Sequence, residues 1–225
     1  MSARIHPRVL LVRHGRTALN AAGLLRGRLD PDLDNVGLAE VEALAEVLAT
    51  RRPIRVVCSP LHRAVQTASA IAHRAGVRAE VDIWLTDRDY GDWAGHLMQD
   101  VVDEWGSLDA APGVEPVDHV RYRATVALDE QVGYLDDQRP VVMVSHDAVN
   151  RILLSSLEPE LGPERFIGQR TACWNEIEHV DGRWRVLLVD QKPTDFAAPP
   201  DPPARQMRAE AVIRSGAARG HNGNG

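Results

Sequence analysis

The sequence predicts an α/β fold: a three-layer sandwich whose mixed, mostly parallel central sheet is flanked by helices on both faces. Three observations carry this. Residues 9–12 and 141–144 form short, continuous apolar runs and 54–58 a similar run broken only by Arg55, the pattern of strands buried on both faces of a parallel sheet. Between them lie longer segments whose apolar residues recur at helical spacing. Near the end, Asp181-Gly182 separates two short segments that each open on tryptophan, a hairpin signal that closes the sheet with an antiparallel pair.

Taken in order, the first strand (9–12) ends on Arg13-His14-Gly15, where the glycine lets the chain turn with little steric cost. Residues 18–34 are rich in Gly, Asp and Arg and lack sustained periodicity, which predicts a loop with one helical turn. From Asn35, read as a helix cap, Val41, Leu44, Ala45 and Leu48 fall on one face and Glu40, Glu42 and Glu46 elsewhere. Pro53 ends that amphipathic helix. A second strand (54–58) runs into SPLHRAVQTASAIA, a polar cluster opening a helix. Residues 77–83 are predicted as a third strand, 98–105 as a short helix and 117–135 as a longer one. Pro140 introduces another buried strand, which ends at His146 and leads into a helix over 149–157. The terminal hairpin takes 174–180 and 184–189. Residues 1–191 thus read as one catalytic domain. Residues 192–225, with clustered prolines and then RSGAARGHNGNG, are too poor in large apolar side chains to pack and read as a flexible tail.

Composition narrows the partners. A net charge of −6 over 225 residues, with no Lys/Arg-rich run, argues against a nucleic-acid footprint and for small molecules. Lys192 is the single lysine, so arginine is informative here only through its position. Cys58 and Cys173 sit inside apolar segments and read as buried, reduced thiols. No apolar stretch approaches the roughly 20 residues that span a bilayer, and the first residues lack a signal-peptide pattern, so the expectation is a cytoplasmic protein without a membrane partner. Apolar faces on the middle helices would permit a homodimer.

Three strand ends deliver Arg13-His14, the Arg63 segment and Ser145-His146 to one edge of the sheet, where α/β folds bind ligands. A guanidinium fork matches two phosphate oxygens, and a neutral imidazole can attack phosphorus, so the set points to phosphoryl transfer. Alone, His14 would read as an ordinary strand-end histidine. His62 lies about 100° around the helix from Arg63 and is expected at the surface. Trp84, Trp93, Trp105, Trp174 and Trp184 form no stacking stripe and read as core and pocket walls. His96 and His119 have no partners at ligand spacing, and no metal site is predicted.

The segments LVRHGRTALN, RGRLDPDL, CSPLHRAVQTA, LTDRDYGDWAG, PGVEP and VVMVSHDAVNR, in that order, resemble the histidine phosphatase superfamily, the phosphoglycerate-mutase-like proteins, over about residues 9–189. The resemblance implies that His14 is the phosphorylated nucleophile, that Arg13, Arg63 and His146 hold the phosphoryl oxygens, and that Asn20 adds a polar contact. It implies no metal and no cofactor. The general acid aligns with Asp87, where the family usually has Glu, and Asp89 is its possible substitute. Arg16 stands where the family has Glu or Gln and is expected to bind substrate. Ala94 replaces a common Glu, and Asp147 the usual Gly, where an inward carboxylate would repel an acidic substrate. Glu115 aligns with a family Glu at the rim of the site. The reaction implied is metal-independent hydrolysis of a small phosphomonoester, a phosphorylated metabolite, through a phosphohistidine. A mutase shares the first half-reaction, but the short segment between Gly95 and Pro140 resembles the phosphatase branch. A non-catalytic phospho-ligand binder is the reading from another class.

Overall fold

Arg8–Arg13 (β1) opens the sheet of the computed structural model, which describes residues 6–193. It is followed by Ala18–Ala21 (α1), Asn35–Thr50 (α2), Arg55–Cys58 (β2), His62–Ala75 (α3) and Ala79–Val81 (β3). Met98–Trp105 (α4), Val117–Asp129 (α5), Val141–Ser145 (β4) and Asp147–Leu157 (α6) come next, then Trp174–Val180 (β5) and Arg183–Gln191 (β6). The six strands lie in the order β3-β2-β4-β1-β5-β6. Pairing is parallel from β3 through β1 and antiparallel from β1 through β6. The mixed, mostly parallel sheet is therefore as the sequence predicts; the proposed tail lies almost wholly outside the described residues.

Because successive side chains of a strand point to opposite faces, β1 feeds two cores. Val9 and Leu11 pack with Val120, Leu128, Leu153 and Leu154 of α5 and α6. Leu10 and Val12 pack with Leu44, Leu48, Ala68 and Ile71 of α2 and α3. Strand β4 slots between β1 and β2, so the carboxyl ends of β2, β4 and β1 are adjacent, and the crevice above them is where the chemistry-bearing residues meet.

Several local expectations need correction. Helix α2 is capped by Asp34, not Asn35: Asp34 Oδ1 accepts the Gly37 N–H at 2.8 Å. Glu40, off the apolar face as expected, is nonetheless buried and accepts from the Arg16 N–H, the Thr171 hydroxyl and Lys192 Nζ. The third strand is only three residues long, because Asp82 Oδ1 accepts the Trp84 N–H and starts a 3-10 turn over Ile83–Leu85. The helix predicted over 117–135 stops at Asp129 and tightens into a 3-10 turn, Glu130–Tyr134, which contains the poor helix former Gly133. Trp174 is buried, but Trp84 and Trp105 are each 40% exposed and are not core residues. Cys58 and Cys173 are both buried free thiols; burial, with some help from Asp82, pushes the Cys58 thiol up to about 12.

Candidate active site

Backbone hydrogen bonds tie the strand ends together before any side chain is considered. The His14 N–H donates to the Ser145 carbonyl at 3.1 Å, and the Ser59 N–H to the Val144 carbonyl at 3.0 Å. As a result the His14 and His146 rings face each other with centroids 5.1 Å apart. Arg63, in the first turn of α3, reaches into the same space: its Nε donates to His14 Nε2 at 3.2 Å and its Nη2 to Asp87 Oδ2 at 2.9 Å. His14, Arg63 and His146 are fully buried and Arg13 and Asp87 nearly so.

This geometry fixes the His14 tautomer. His14 Nδ1 is 2.7 Å from the Gly15 carbonyl, which can only accept, so Nδ1 carries the proton and Nε2 the lone pair. His146 Nε2 is 2.7 Å from Ser59 Oγ, whose hydroxyl accepts from the Leu61 N–H and can donate onward to that nitrogen. His146 Nδ1 lacks a hydrogen-bond partner and lies 3.7 Å from Asp87 Oδ2. Burial first, and the Arg63 charge second, hold both imidazoles well below the usual 6.5, so both are neutral at physiological pH. A neutral imidazole with an unprotonated Nε2 is the form that attacks phosphorus.

Asp87 reaches the centre despite its short side chain. Its Oδ2 pairs with Arg63, and its Oδ1 accepts the Arg88 N–H at 2.9 Å. Asp89 turns away: its carboxylate is 44% exposed, accepts the Gly91 N–H and faces Arg28. The loop carrying Asp87 is pinned by Arg123, which the sequence reading passed over. This buried guanidinium donates to the carbonyls of Trp84, Thr86 and Asp87 and to both carboxylate oxygens of Glu115. Burial alone would raise the Glu115 carboxyl, but the Arg123 hydrogen bonds and the Asp89 N–H outweigh it and hold it below its ordinary value. Glu115 is thus a brace for the loop. The signal for Arg123 was its place on the buried stripe of α5 beside Val120, Ala124 and Ala127, since an arginine there must find several acceptors.

The remaining expected ligands are distributed unevenly. Arg13 donates to the Gln169 carbonyl and lies 3.6 Å from Asp147 Oδ2. Arg16 sits against Asp34 at 3.0 Å, beside the start of α2. Asn20 closes a capping box, its Oδ1 accepting from the Thr17 N–H and hydroxyl. Arg26, also passed over, stands close enough that its charge acts on His14, Arg63 and His146. His62 is at the surface, as expected. Gly15 matters for space: a Cβ there would lie 2.6 Å from Val41 Cγ2 and 2.8 Å from the Gly37 carbonyl, so its absence lets α2 press against the His14 turn.

Such a pocket, with a neutral imidazole between buried guanidinium groups and a carboxyl beside it, suits a phosphomonoester. The model for the histidine phosphatase superfamily (branch 1) matches residues 9–192. The chain belongs to that superfamily. A histidine phosphatase relative, the glucosyl-3-phosphoglycerate phosphatase of Mycolicibacterium vanbaalenii, is 36% identical over 165 residues, 67% of this chain and 73% of the relative. The metal-independent phosphoserine phosphatase of Arabidopsis thaliana is 31% identical, with 79% of each chain covered. Among solved structures, a mycobacterial glucosyl-3-phosphoglycerate phosphatase in complex with VO3 superimposes with a TM-score of 0.74 at 29% identity, covering 83% of this chain and all of the other.

Proposed function

We propose that this histidine phosphatase hydrolyses a small phosphomonoester by passing the phosphoryl group first to His14 Nε2 and then to water. The observation that carries the reading is the His14 tautomer: Nδ1 is anchored to the Gly15 carbonyl, leaving the Nε2 lone pair beside Arg63 and His146. A phosphoryl oxygen takes over the Arg63 Nε donor that otherwise points at that lone pair. Arg13 and Arg63 supply preorganised positive charge, and His146 a ring nitrogen without a partner, where negative charge spreads over the equatorial oxygens. The first-turn N–H groups of α6 and α3 start at the same edge and favour an anion there.

Nε2 forms its bond to phosphorus as the bond to the leaving oxygen breaks, and Asp87, having taken up the acidic proton of the monoanionic ester, passes it to that oxygen. Incoming phosphate competes with Asp87 for Arg63 Nη2, which frees the carboxyl for this role. In the second step Asp87 takes a proton from the water that attacks phosphorus, and His14 leaves with its electron pair restored. The guanidinium groups do electrostatically what a metal ion would otherwise do. The names of the relatives support small phosphorylated metabolites as the substrate class; among the described residues no helix is long and apolar enough to cross a membrane.

The test is phosphate release from p-nitrophenyl phosphate in excess chelator. Wild type is expected to turn over, and His14→Ala to lose at least about 10³-fold, since it removes the nucleophile. Acid-labile, base-stable label on wild-type protein quenched with labelled substrate identifies the phosphohistidine. Equal release by both proteins would remove His14 from the mechanism.

A further inference from the structure

One acidic side chain at the site has no part in the chemistry above. Asp147 is the first residue of α6, directly after His146, and its carboxylate is held by three arginines. Its Oδ2 lies 3.6 Å from Arg13 Nη1 and 4.0 Å from Arg26 Nη2, while its Oδ1 accepts from Arg151 one helical turn along. Arg13 is committed to the phosphoryl group and Arg151 lies outward on α6. Arg26 is the cation that a second anionic group on a substrate would seek. Its Nη1 donates to the Leu24 carbonyl, its Nε is buried without a hydrogen-bond partner, and its side chain is only 15% exposed, so its charge is directed inward.

We propose that Asp147 determines specificity by neutralising Arg26, so that the site accepts phosphomonoesters whose leaving group carries no second negative charge and rejects those with a carboxylate near the phosphate. This rests on the phosphatase reading. A substrate carboxylate steered to Arg26 meets Asp147 at the same largely buried guanidinium, and two carboxylates sharing one cation repel. A hydroxyl or amine in that place instead finds an acceptor in Asp147. The consequence is a departure from relatives whose names denote phosphoglycerate and phosphoserine substrates, both carboxylated.

The test compares 3-phosphoglycerate with glycerol 3-phosphate, esters that differ by a carboxylate against a hydroxymethyl group. Wild type is expected to give the higher kcat/KM with glycerol 3-phosphate. Asp147→Asn should raise the 3-phosphoglycerate to glycerol 3-phosphate ratio by about tenfold or more, and adding Arg26→Gln should remove that gain. Using the ratio cancels any general loss through Arg13, and Asp147→Ser serves if the Asn variant folds poorly by circular dichroism. A wild-type preference for 3-phosphoglycerate, or a ratio unmoved by both Asp147 variants, overturns the proposal. Calorimetric binding of the same two esters gives the ratio without turnover, so an inactive enzyme sinks the phosphatase reading while the charge discrimination is still decided.

Discussion

At the scale of single residues, the site rests on how few hydrogen-bonding choices are left to each buried group. His14 cannot adopt the other tautomer without facing the Gly15 carbonyl with a lone pair, and His146 is held in place by the Ser59 hydroxyl. Asp87 is the carboxyl that meets both Arg63 and His146, whereas Asp89 faces Arg28 and solvent. Asp87→Asn should therefore lower kcat by about 10²–10⁴-fold on an alkyl phosphate, whose leaving alkoxide needs a proton. The loss on p-nitrophenyl phosphate should be much smaller, because nitrophenolate departs without one. Steady-state rates on the two substrates check this, and an equal loss on both would reassign Asp87 to binding alone. The arginine triplet position, His14, Arg63 and His146 were legible as residues because each follows a short apolar strand. Arg26 and Arg123 were not, since in a chain whose basic residues are nearly all arginine only the surroundings distinguish them.

Among the elements, the join between β1 and α2 is the most exacting. A Cβ on Gly37 would lie 2.0 Å from the Arg16 carbonyl oxygen, so the turn after His14 and the first turn of α2 touch backbone to backbone. Helix propensity alone says that Gly37→Ala should stabilise α2 by about 1 kcal/mol. The contact predicts the reverse, a loss of about 1–3 kcal/mol from forced separation, together with reduced turnover as the His14 turn shifts. Urea unfolding of the variant decides between the two signs, and a stabilised, fully active protein would refute the packing account. The same contact explains why Glu40, one turn further along α2, is buried: it accepts the Arg16 N–H that the turn brings to it. Periodicity places α2 and sets Glu40 off its apolar face but does not show that Glu40 is buried, because a single helix carries no information about what packs beside it.

For the molecule as a whole, burying two neutral histidines couples the site to stability. In the unfolded chain each imidazole takes up a proton near pH 6.5, whereas in the folded protein it does so only at markedly lower pH. Between those limits the unfolded state binds more protons, so this contribution is complete above about pH 6.5 and is lost as the pH falls, by about 1.4 kcal/mol per unit for each histidine. Unfolding midpoints of wild type and His14→Asn between pH 7.5 and 5.0 should diverge accordingly, the variant showing the shallower decline; parallel curves would mean that His14 is protonated in the fold. The three buried strand runs, the helical spacings between them and the Asp181-Gly182 hairpin were enough to specify a mixed sheet with strand ends at one edge, because burial on both faces and turn chemistry are local properties of the chain. Which strands become neighbours is not local. The insertion of β4 between β1 and β2 set His146 across from His14, and the packing of α5 against the sheet gave Arg123 the carbonyls of the Asp87 loop. The partners of Asp147 were likewise decided by tertiary structure, since a carboxylate's effect on a site depends on distances between charges that only the folded chain brings together.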